Sequence, residues 1–267
     1  MDRALPFLTS GKGYTNFFVK CIPQNYQYPP RTFRKVVRHG VGYNLDISEY
    51  MEWVIYFDLN VEHRNELYPL IKPGFVIFDV GTNIGETLMS FAHLVGKGGF
   101  VYGFEPVPFT YAKCMDNLAL NSFSNVKVEN IALSDRAEKL FFDPLTYNNS
   151  GGIYMRKDAD QEGGMVEAIT LDEFVERNSI TRLDFLKIDV EGFELNVLKG
   201  AVNSCKKFRP VLFIEVNSLN LSRQGVTSKD LINLIVSYGY HIHKVDEKEM
   251  DSTGLEHYDI IATYGNT

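Results

Sequence analysis

The chain has 267 residues, of which 45% are hydrophobic and 13% aromatic, and such a chain can bury one large core with a small appendage. Its formal net charge of −7 supplies no positive field for phosphate backbones, so we expect no nucleic acid partner. Cys21, Cys114 and Cys205 lack C-x-x-C spacing, which is typical of reduced thiols in an intracellular protein. Since we find neither a signal-peptide pattern nor an apolar run long enough for a membrane span, we expect a cytoplasmic protein.

Residues 1–72 are predicted to form a small N-terminal α+β extension. Its first part is rich in aromatics, Pro and Gly without sustained periodicity, and we expect loop there. The segment FRKVVRHGVGYNLDI alternates around His39 and Gly40, which predicts a hairpin. A helix in SEYMEWVIYFDLN follows, with Asp46 and Glu49 as a capping pair, and then a short helix in RNELYPLIK.

From residue 73 to residue 267, apolar strands alternate with amphipathic helices. The predicted strands are VIFDV, FVYGF, VKVENIAL, LDFLKIDV and VLFIEV, and YHIHKV and YDIIATY form an antiparallel pair at the end. KLFFDP and MVEAITL are short strands beside a polar loop at about 145–165, which we expect to line the acceptor side of the site. Nearly continuous apolar strands separated by helices predict an α/β fold, with a doubly wound parallel sheet covered on both faces.

The first strand of this unit runs into a glycine-bearing loop, Asp79-x-Gly81-x-x-x-Gly85. In an open α/β sheet, ligands bind beyond the carboxyl ends of the strands, and a helix N-terminus after such a loop suits an anionic or zwitterionic ligand. Asn83 stands where a dinucleotide fingerprint needs glycine, and Gly85 lacks the Lys that follows it in a P-loop. The loop therefore favours a smaller ligand with an amino acid moiety.

Glu105 ends the next strand, where a carboxylate can accept hydrogen bonds from both ribose hydroxyls. The alternative is a glutamate that only meets solvent. A nucleoside joined to an amino acid is S-adenosylmethionine, and this is the cofactor that we predict.

The blocks VIFDVGTNIGETL, YGFEPVPFTYAKCMDNL, NVKVENIALSD, ITLDEF, LDFLKIDVEGFELNVLKGA and VLFIEV, in this order, resemble the FkbM family of S-adenosylmethionine-dependent methyltransferases. The resemblance implies a Rossmann-like class I methyltransferase fold, whose mostly parallel seven-stranded sheet has an antiparallel C-terminal strand. It also implies a set of cofactor-binding positions: Asp79, Gly81, Asn83 and Gly85 around the methionine, Glu105 with Pro106 at the ribose, Asn130 to Leu133 (including Ala132) at the adenine, and Asp189 at the methionine end.

The segment FLKIDVEGFE carries the candidate catalytic residues. Lys187, Asp189 and Glu191 alternate, so an extended chain places them on one side, and Glu215 ends the next strand. Our hypothesis is that Glu191 or Glu215 takes the acceptor proton or orients the acceptor, with Asp189 near the cofactor. Two alternatives stay open: a purely structural Lys187–Asp189 ion pair, and a Mg²⁺ or Ca²⁺ ion on Asp189, Glu191 and Glu215, although we expect no metal.

The resemblance implies O-methylation of a sugar hydroxyl in a glycan or glycosylated natural product. N-methylation of a side-chain amide in a peptide is the alternative within the class. A binding protein without catalysis and a nicotinamide oxidoreductase are alternatives outside it. His241 and His243 share a face of a late strand, and we interpret them as structural.

Overall fold

The computed structural model describes residues 17–59, 63–142, 155–157, 164–244, 249–250 and 256–265. The strands are β1 (Phe33–Arg38), β2 (Val41–Asp46), β3 (Val76–Val80), β4 (Phe100–Phe104), β5 (Val126–Glu129), β6 (Ala132–Leu133), β7 (Glu138–Phe142), β8 (Met155–Arg156), β9 (Gly164–Ile169), β10 (Phe185–Ile188), β11 (Val211–Asn217), β12 (Tyr240–Lys244), β13 (Glu249–Met250) and β14 (Glu256–Tyr264). The helices are α1 (Tyr50–Phe57), α2 (Glu86–Val95), α3 (Pro108–Leu118), α4 (Leu171–Arg177), α5 (Glu194–Lys199), α6 (Val202–Phe208), α7 (Ser218–Arg223) and α8 (Ser228–Ser237). Among the described residues, no helix is both long and apolar enough to span a bilayer.

The central sheet has the strand order β12-β14-β11-β10-β3-β4-β5, with the two-residue β13 paired to β14. β10 pairs in parallel with β3 and β11, and β4 pairs in parallel with β3 and β5. β14 is antiparallel to both of its neighbours, β11 and β12. This topology confirms the predicted α/β fold, and the strand order reverses between β3 and β10, where ligands of such sheets bind.

Both faces of the central sheet are covered by apolar side chains. On one face, β3, β10 and β11 pack with α4 to α8, and on the other they pack with α2 and α3. The four apolar residues that predicted the inner face of α2 are each no more than 2% exposed: Leu88, Phe91, Ala92 and Val95. The period of 3.6 residues therefore identified the buried face of this helix correctly.

A second sheet, with the order β6-β9-β7-β8, lies beside the central one and was not predicted as a sheet. The single strand predicted over VKVENIAL is wrong, because β5 ends at Glu129 in the central sheet and β6 begins at Ala132 in the second sheet. Between them, the Asn130 side chain donates hydrogen bonds to the backbone carbonyls of Glu105 and Pro106, in the loop that follows β4. Of the polar loop predicted at about 145–165, residues 145–154 and 158–163 lie outside the described residues.

The N-terminal hairpin and helix form as expected, with β1 and β2 antiparallel and α1 next along the chain. The predicted capping pair does not form, because the Glu49 side chain makes no capping hydrogen bond and Asp46 instead binds Ser48. The predicted second helix is a π turn (His63–Leu67) followed by a 3₁₀ turn (Tyr68–Leu70). The boundary at residue 72 stays a prediction.

Candidate functional site

The loop between β3 and α2 ties the ends of neighbouring strands together. The N–H groups of Gly81 and Thr82 donate to the carbonyl of Phe104, at the end of β4, at 3.0 and 3.1 Å. Gly81 has a φ of +84°, and a Cβ atom there would lie 1.7 Å from the carbonyl oxygen of Asp189. The close approach that requires glycine at this position is therefore to the chain after β10, a contact that the spacing of the motif did not indicate.

Asn83 links this loop to Glu105. Asn83 has a φ of +51°, and its backbone N–H donates to Glu105 Oε2 at 2.9 Å. Within the described part of the chain, its buried Oδ1 has no hydrogen-bond partner. Because a buried acceptor without a donor is costly, this oxygen fits a ligand that carries N–H groups, such as the ammonium of an amino acid.

Glu105 lies just beyond β4 and is only 6% exposed. Its two carboxylate oxygens accept hydrogen bonds from the backbone N–H groups of Asn83, at 2.9 Å, and Val107, at 3.1 Å. Burial raises the pKa of Glu105 to about 7, against the opposing effect of these two donors. Each carboxylate oxygen has a second lone pair, so the group can still accept from ligand hydroxyls.

Pro106 and Asn130 lie just beyond the ends of β4 and β5, beside Glu105, and Ala132 begins β6 two residues after Asn130. Asn130 Nδ2 donates to the carbonyls of Glu105, at 2.8 Å, and Pro106, at 2.9 Å. Ala132 is buried among apolar side chains of the second sheet. The structure thus brings the predicted ribose and adenine positions to one edge of the central sheet.

Asp79 and Asp189 share the buried cation Lys187. Lys187 Nζ lies 3.5 Å from Asp79 Oδ1 and 3.0 Å from Asp189 Oδ2. Thr87 Oγ1 donates to the other oxygen of Asp79 at 2.7 Å. Asp79 is fully buried, and burial raises its pKa although Lys187 acts in the opposite direction. Asp189 is the more accessible carboxylate, with 35% of its side chain exposed.

Glu191 departs from the predicted arrangement. β10 ends at Ile188, and Glu191 has a φ of +53°, so the expected extended alternation with Lys187 and Asp189 does not reach it. Its Oε2 instead accepts a hydrogen bond from Asn220 Nδ2, on α7, at 2.5 Å. The turn thus brings Glu191 to the helix that follows β11.

The carboxylates around Glu191 repel one another. Burial, followed by the charges of Glu215 and Asp189, raises the pKa of Glu191 to about 10. Burial likewise raises the pKa of Glu194 to about 8, and its Oε1 accepts from the backbone N–H groups of Val190 and Gly192. The raised pKa favours the protonated form of Glu191, and in that form the carboxyl group can donate a hydrogen bond.

Glu215 pairs with His257, a residue that the sequence did not single out. His257 Nε2 lies 2.9 Å from Glu215 Oε1. The hydrogen bond to Glu215 raises the pKa of His257 to about 9, while burial raises the pKa of Glu215. Only the register of β14 against β11 brings these two residues together, and no local motif marks it.

In the described ranges, no group of three or more His, Cys, Asp or Glu side chains is placed to hold a metal ion. Glu191 is bound to Asn220 and Glu215 to His257. The geometry thus gives no support to the alternative of Mg²⁺ or Ca²⁺ on Asp189, Glu191 and Glu215.

Comparison with known proteins assigns the class of this fold and site. Residues 79–242 match the family described as the methyltransferase FkbM domain, which is more than half of the chain. The match assigns the fold to the class of methyltransferase domains. More particularly, the chain belongs to the FkbM methyltransferase family, as the sequence blocks predicted.

Similar proteins cover several acceptor classes. Hexuronic acid methyltransferase AglP of Haloferax volcanii is 30% identical over 161 residues, which are 60% of this chain and 61% of AglP. The 2-O-methyltransferase NoeI of Sinorhizobium fredii is 26% identical over 191 residues, 66% of this chain and 77% of NoeI. The 31-O-demethyl-FK506 methyltransferase FkbM of Streptomyces tacrolimicus is 31% identical over 159 residues, 49% of this chain and 60% of that protein. The chain thus spans about three fifths of AglP and of that FkbM protein.

Proposed function

We propose that the protein transfers a methyl group from S-adenosylmethionine to a hydroxyl group of a sugar, in a glycan or a glycosylated natural product. The observation that carries this proposal is the hydrogen bond from Asn83 N–H to Glu105 Oε2, which joins the glycine loop to a buried carboxylate at the next strand end. This arrangement presents acceptors for an amino acid and a ribose side by side. The names of AglP, NoeI and FkbM support a hydroxyl or uronic acid acceptor.

The cofactor side of the site comprises the residues at the ends of β3, β4 and β5. In this proposal, the methionine lies against Asp79, Gly81, Asn83, Gly85 and Asp189, with its ammonium at the unpartnered Asn83 Oδ1. Glu105 and Pro106 hold the ribose, and Asn130 and Ala132 border the adenine. S-adenosylmethionine, when bound, supplies a methyl group on a positively charged sulfur. An aligned nucleophile can attack this methyl carbon, with the sulfur as the leaving group.

The catalytic side comprises the acidic residues that follow β10 and β11. A hydroxyl acceptor loses its proton as the methyl group is transferred, so a base has to be placed beside it. We assign the removal of that proton to the ion pair of Glu215 with His257, and the orientation of the acceptor to Glu191. Asp189, held by Lys187, faces the methionine end. The cytoplasmic location expected from the sequence stays a prediction.

Calorimetric titration with S-adenosylhomocysteine and with NADH tests the cofactor. We expect micromolar binding of S-adenosylhomocysteine and no response to NADH. Binding of NADH without binding of S-adenosylhomocysteine would contradict the proposal. Glu105→Gln should weaken the binding at least tenfold, because it replaces the charged acceptor of two ribose hydroxyls with a neutral amide. Hydrogen bonds to charged groups contribute about 1.5–3 kcal/mol. Glu129→Gln is the control, since that side chain pairs with Lys127 at 2.7 Å and is assigned no contact with the ribose.

A further inference from the structure

His257 stands at the carboxyl edge of the parallel strands, although its own strand runs the other way. β14 is antiparallel to β11, so its first residues lie beside the last residues of β11, and His257 is opposite Asn217. The His257 side chain is 45% exposed, whereas Glu215 behind it is 19% exposed. The imidazole is therefore the more accessible member of the pair.

Ion pairs link neighbouring strands along this edge. His257 on β14 pairs with Glu215 on β11, and Lys187 on β10 contacts Asp189 and, on β3, Asp79. Neighbouring strands lie about 4.8 Å apart, so β14, which is separated from β10 by β11, lies about 10 Å from β10 along this edge. His257 thus borders the acceptor side of the proposed pocket from the side away from the cofactor.

We propose that His257 is the catalytic base of this site: its Nδ1 takes the proton of the acceptor hydroxyl, and Glu215 holds the imidazole from behind. This inference rests on the proposed function and refines the part of Glu215, which becomes a positioning residue. An ionised carboxylate only accepts, so the bond to Glu215 uses Nε2–H and leaves the lone pair of the neutral ring on Nδ1. His257 lies beyond residues 79–242, the range matched by the family.

The bonds and charges of the step balance. The acceptor O–H bond breaks and its proton goes to Nδ1, the bond between that oxygen and the methyl carbon forms, and the sulfur–methyl bond breaks. The products are a methyl ether, neutral S-adenosylhomocysteine and an imidazolium paired with Glu215. The positive charge of the sulfonium thus reappears on His257, which releases the proton to water.

Among the side chains that the structure describes, the charged groups that act on His257 are acidic. Glu215 on β11, Asp259 on β14 and Asp189 after β10 raise its pKa to about 9. The base form therefore increases as the pH rises towards that value. Glu191 Oε2 is bound by Asn220, and Lys187 contacts Asp79 and Asp189, so the other carboxylates are less suited to take a proton.

The test compares His257→Gln, Glu215→Gln and the control His241→Gln, whose exposed ring is on β12 opposite Thr263, at the other end of β14. Methyl transfer from labelled S-adenosylmethionine to methyl glycosides of a neutral hexose, a 6-deoxyhexose and a hexuronic acid is measured from acid to alkaline pH. In the wild type and His241→Gln, kcat should rise with pH to a plateau above about 9. In His257→Gln, kcat should fall about 100-fold or more and lose this rise, while S-adenosylhomocysteine binds unchanged. In Glu215→Gln, the apparent pKa of kcat should move down towards 6.5.

Other outcomes would contradict the role of His257, the acceptor class or the proposed function. If His257→Gln keeps the turnover and pH profile of the wild type, His257 is not the base, and if it loses S-adenosylhomocysteine binding, its part is structural. Wild-type protein that binds S-adenosylhomocysteine but methylates none of the glycosides contradicts the acceptor class, and the role of His257 falls with it. Wild-type protein that binds no S-adenosylhomocysteine contradicts the proposed function itself.

Discussion

The carbonyl oxygen of Asp189 occupies the space that a side chain at Gly81 would need, 1.7 Å from the position of a Cβ atom. This contact joins the loop after β3 to the chain after β10, at the point where the strand order of the sheet reverses. In the proposed site, those two segments hold the two sides of the methionine. The geometry of the cofactor pocket therefore depends on the absence of one methyl group.

Gly81→Ala should abolish S-adenosylhomocysteine binding and destabilise the protein by more than backbone strain alone, which costs about 1–3 kcal/mol. Gly74→Ala is the matched control, because Gly74 has nearly the same φ, +83° against +84°, but the nearest atom to its Cβ position is 3.9 Å away. We expect the control to lose only the strain energy and to keep its affinity. Urea unfolding and calorimetry measure the two effects, and equal losses in both variants would contradict the steric argument.

The central sheet was predictable because a sheet that is buried on both faces needs apolar strands and amphipathic helices, and both are visible as patterns in the sequence. Leu88 and Phe91 in α2 recur at helical spacing, and the strands are short apolar runs, so both signals are local. The end of β5 was not predictable in this way. Val128 and Leu133 are both apolar and buried, and only the partner strands show that they belong to different sheets.

The candidate site was predictable as far as its residues follow strand ends in the sequence. Asp79, Glu105 and Asp189 come to one edge of the sheet, as their positions after parallel strands implied. His257 was missed because it is 42 positions from Glu215 and lies just before the predicted strand YDIIATY, and the register of that strand against β11 has no marker in the sequence. Glu191 was misplaced because a positive φ at a residue other than glycine has no marker in the sequence.

Lys187→Met should destabilise the protein by about 3–5 kcal/mol, because it leaves the charge of fully buried Asp79 without its cation. Lys127→Met is the matched control, because Lys127 pairs with Glu129 and its own side chain is 50% exposed. Exposed ion pairs contribute about 0–1 kcal/mol to the free energy of unfolding. Urea unfolding gives both values. In the double variant Lys187→Met, Asp79→Asn, part of the stability should return, and a double variant no more stable than the single one would argue against the charge as the cause.

Asn130→Ala should weaken S-adenosylhomocysteine binding, because Asn130 holds the carbonyls of Glu105 and Pro106 at the ends of β4 and β5. Its cost in stability should be about 1–2 kcal/mol for the lost hydrogen bonds. Asn125→Ala is the control, since Asn125 precedes β5 whereas Asn130 follows it. The Asn125 side chain donates to the carbonyls of Ala92 and Gly96. The control should lose comparable stability and bind as the wild type does. Unchanged binding in Asn130→Ala would remove this residue from the proposed adenine side.

Binding of S-adenosylhomocysteine should become tighter as the pH rises through about 7, the pKa to which burial raises Glu105. Ribose hydroxyls donate best to the ionised carboxylate, so the ligand binds the deprotonated form and releases a proton on binding. The sign follows directly: the affinity is fully present above the raised pKa and falls below it, by about tenfold for each pH unit. Calorimetry in buffers of different ionisation enthalpy measures the released proton. Glu105→Gln should bind weakly and without this dependence on pH, whereas Glu129→Gln should keep it. A pH profile that is flat in the wild type would mean that Glu105 does not meet the ribose.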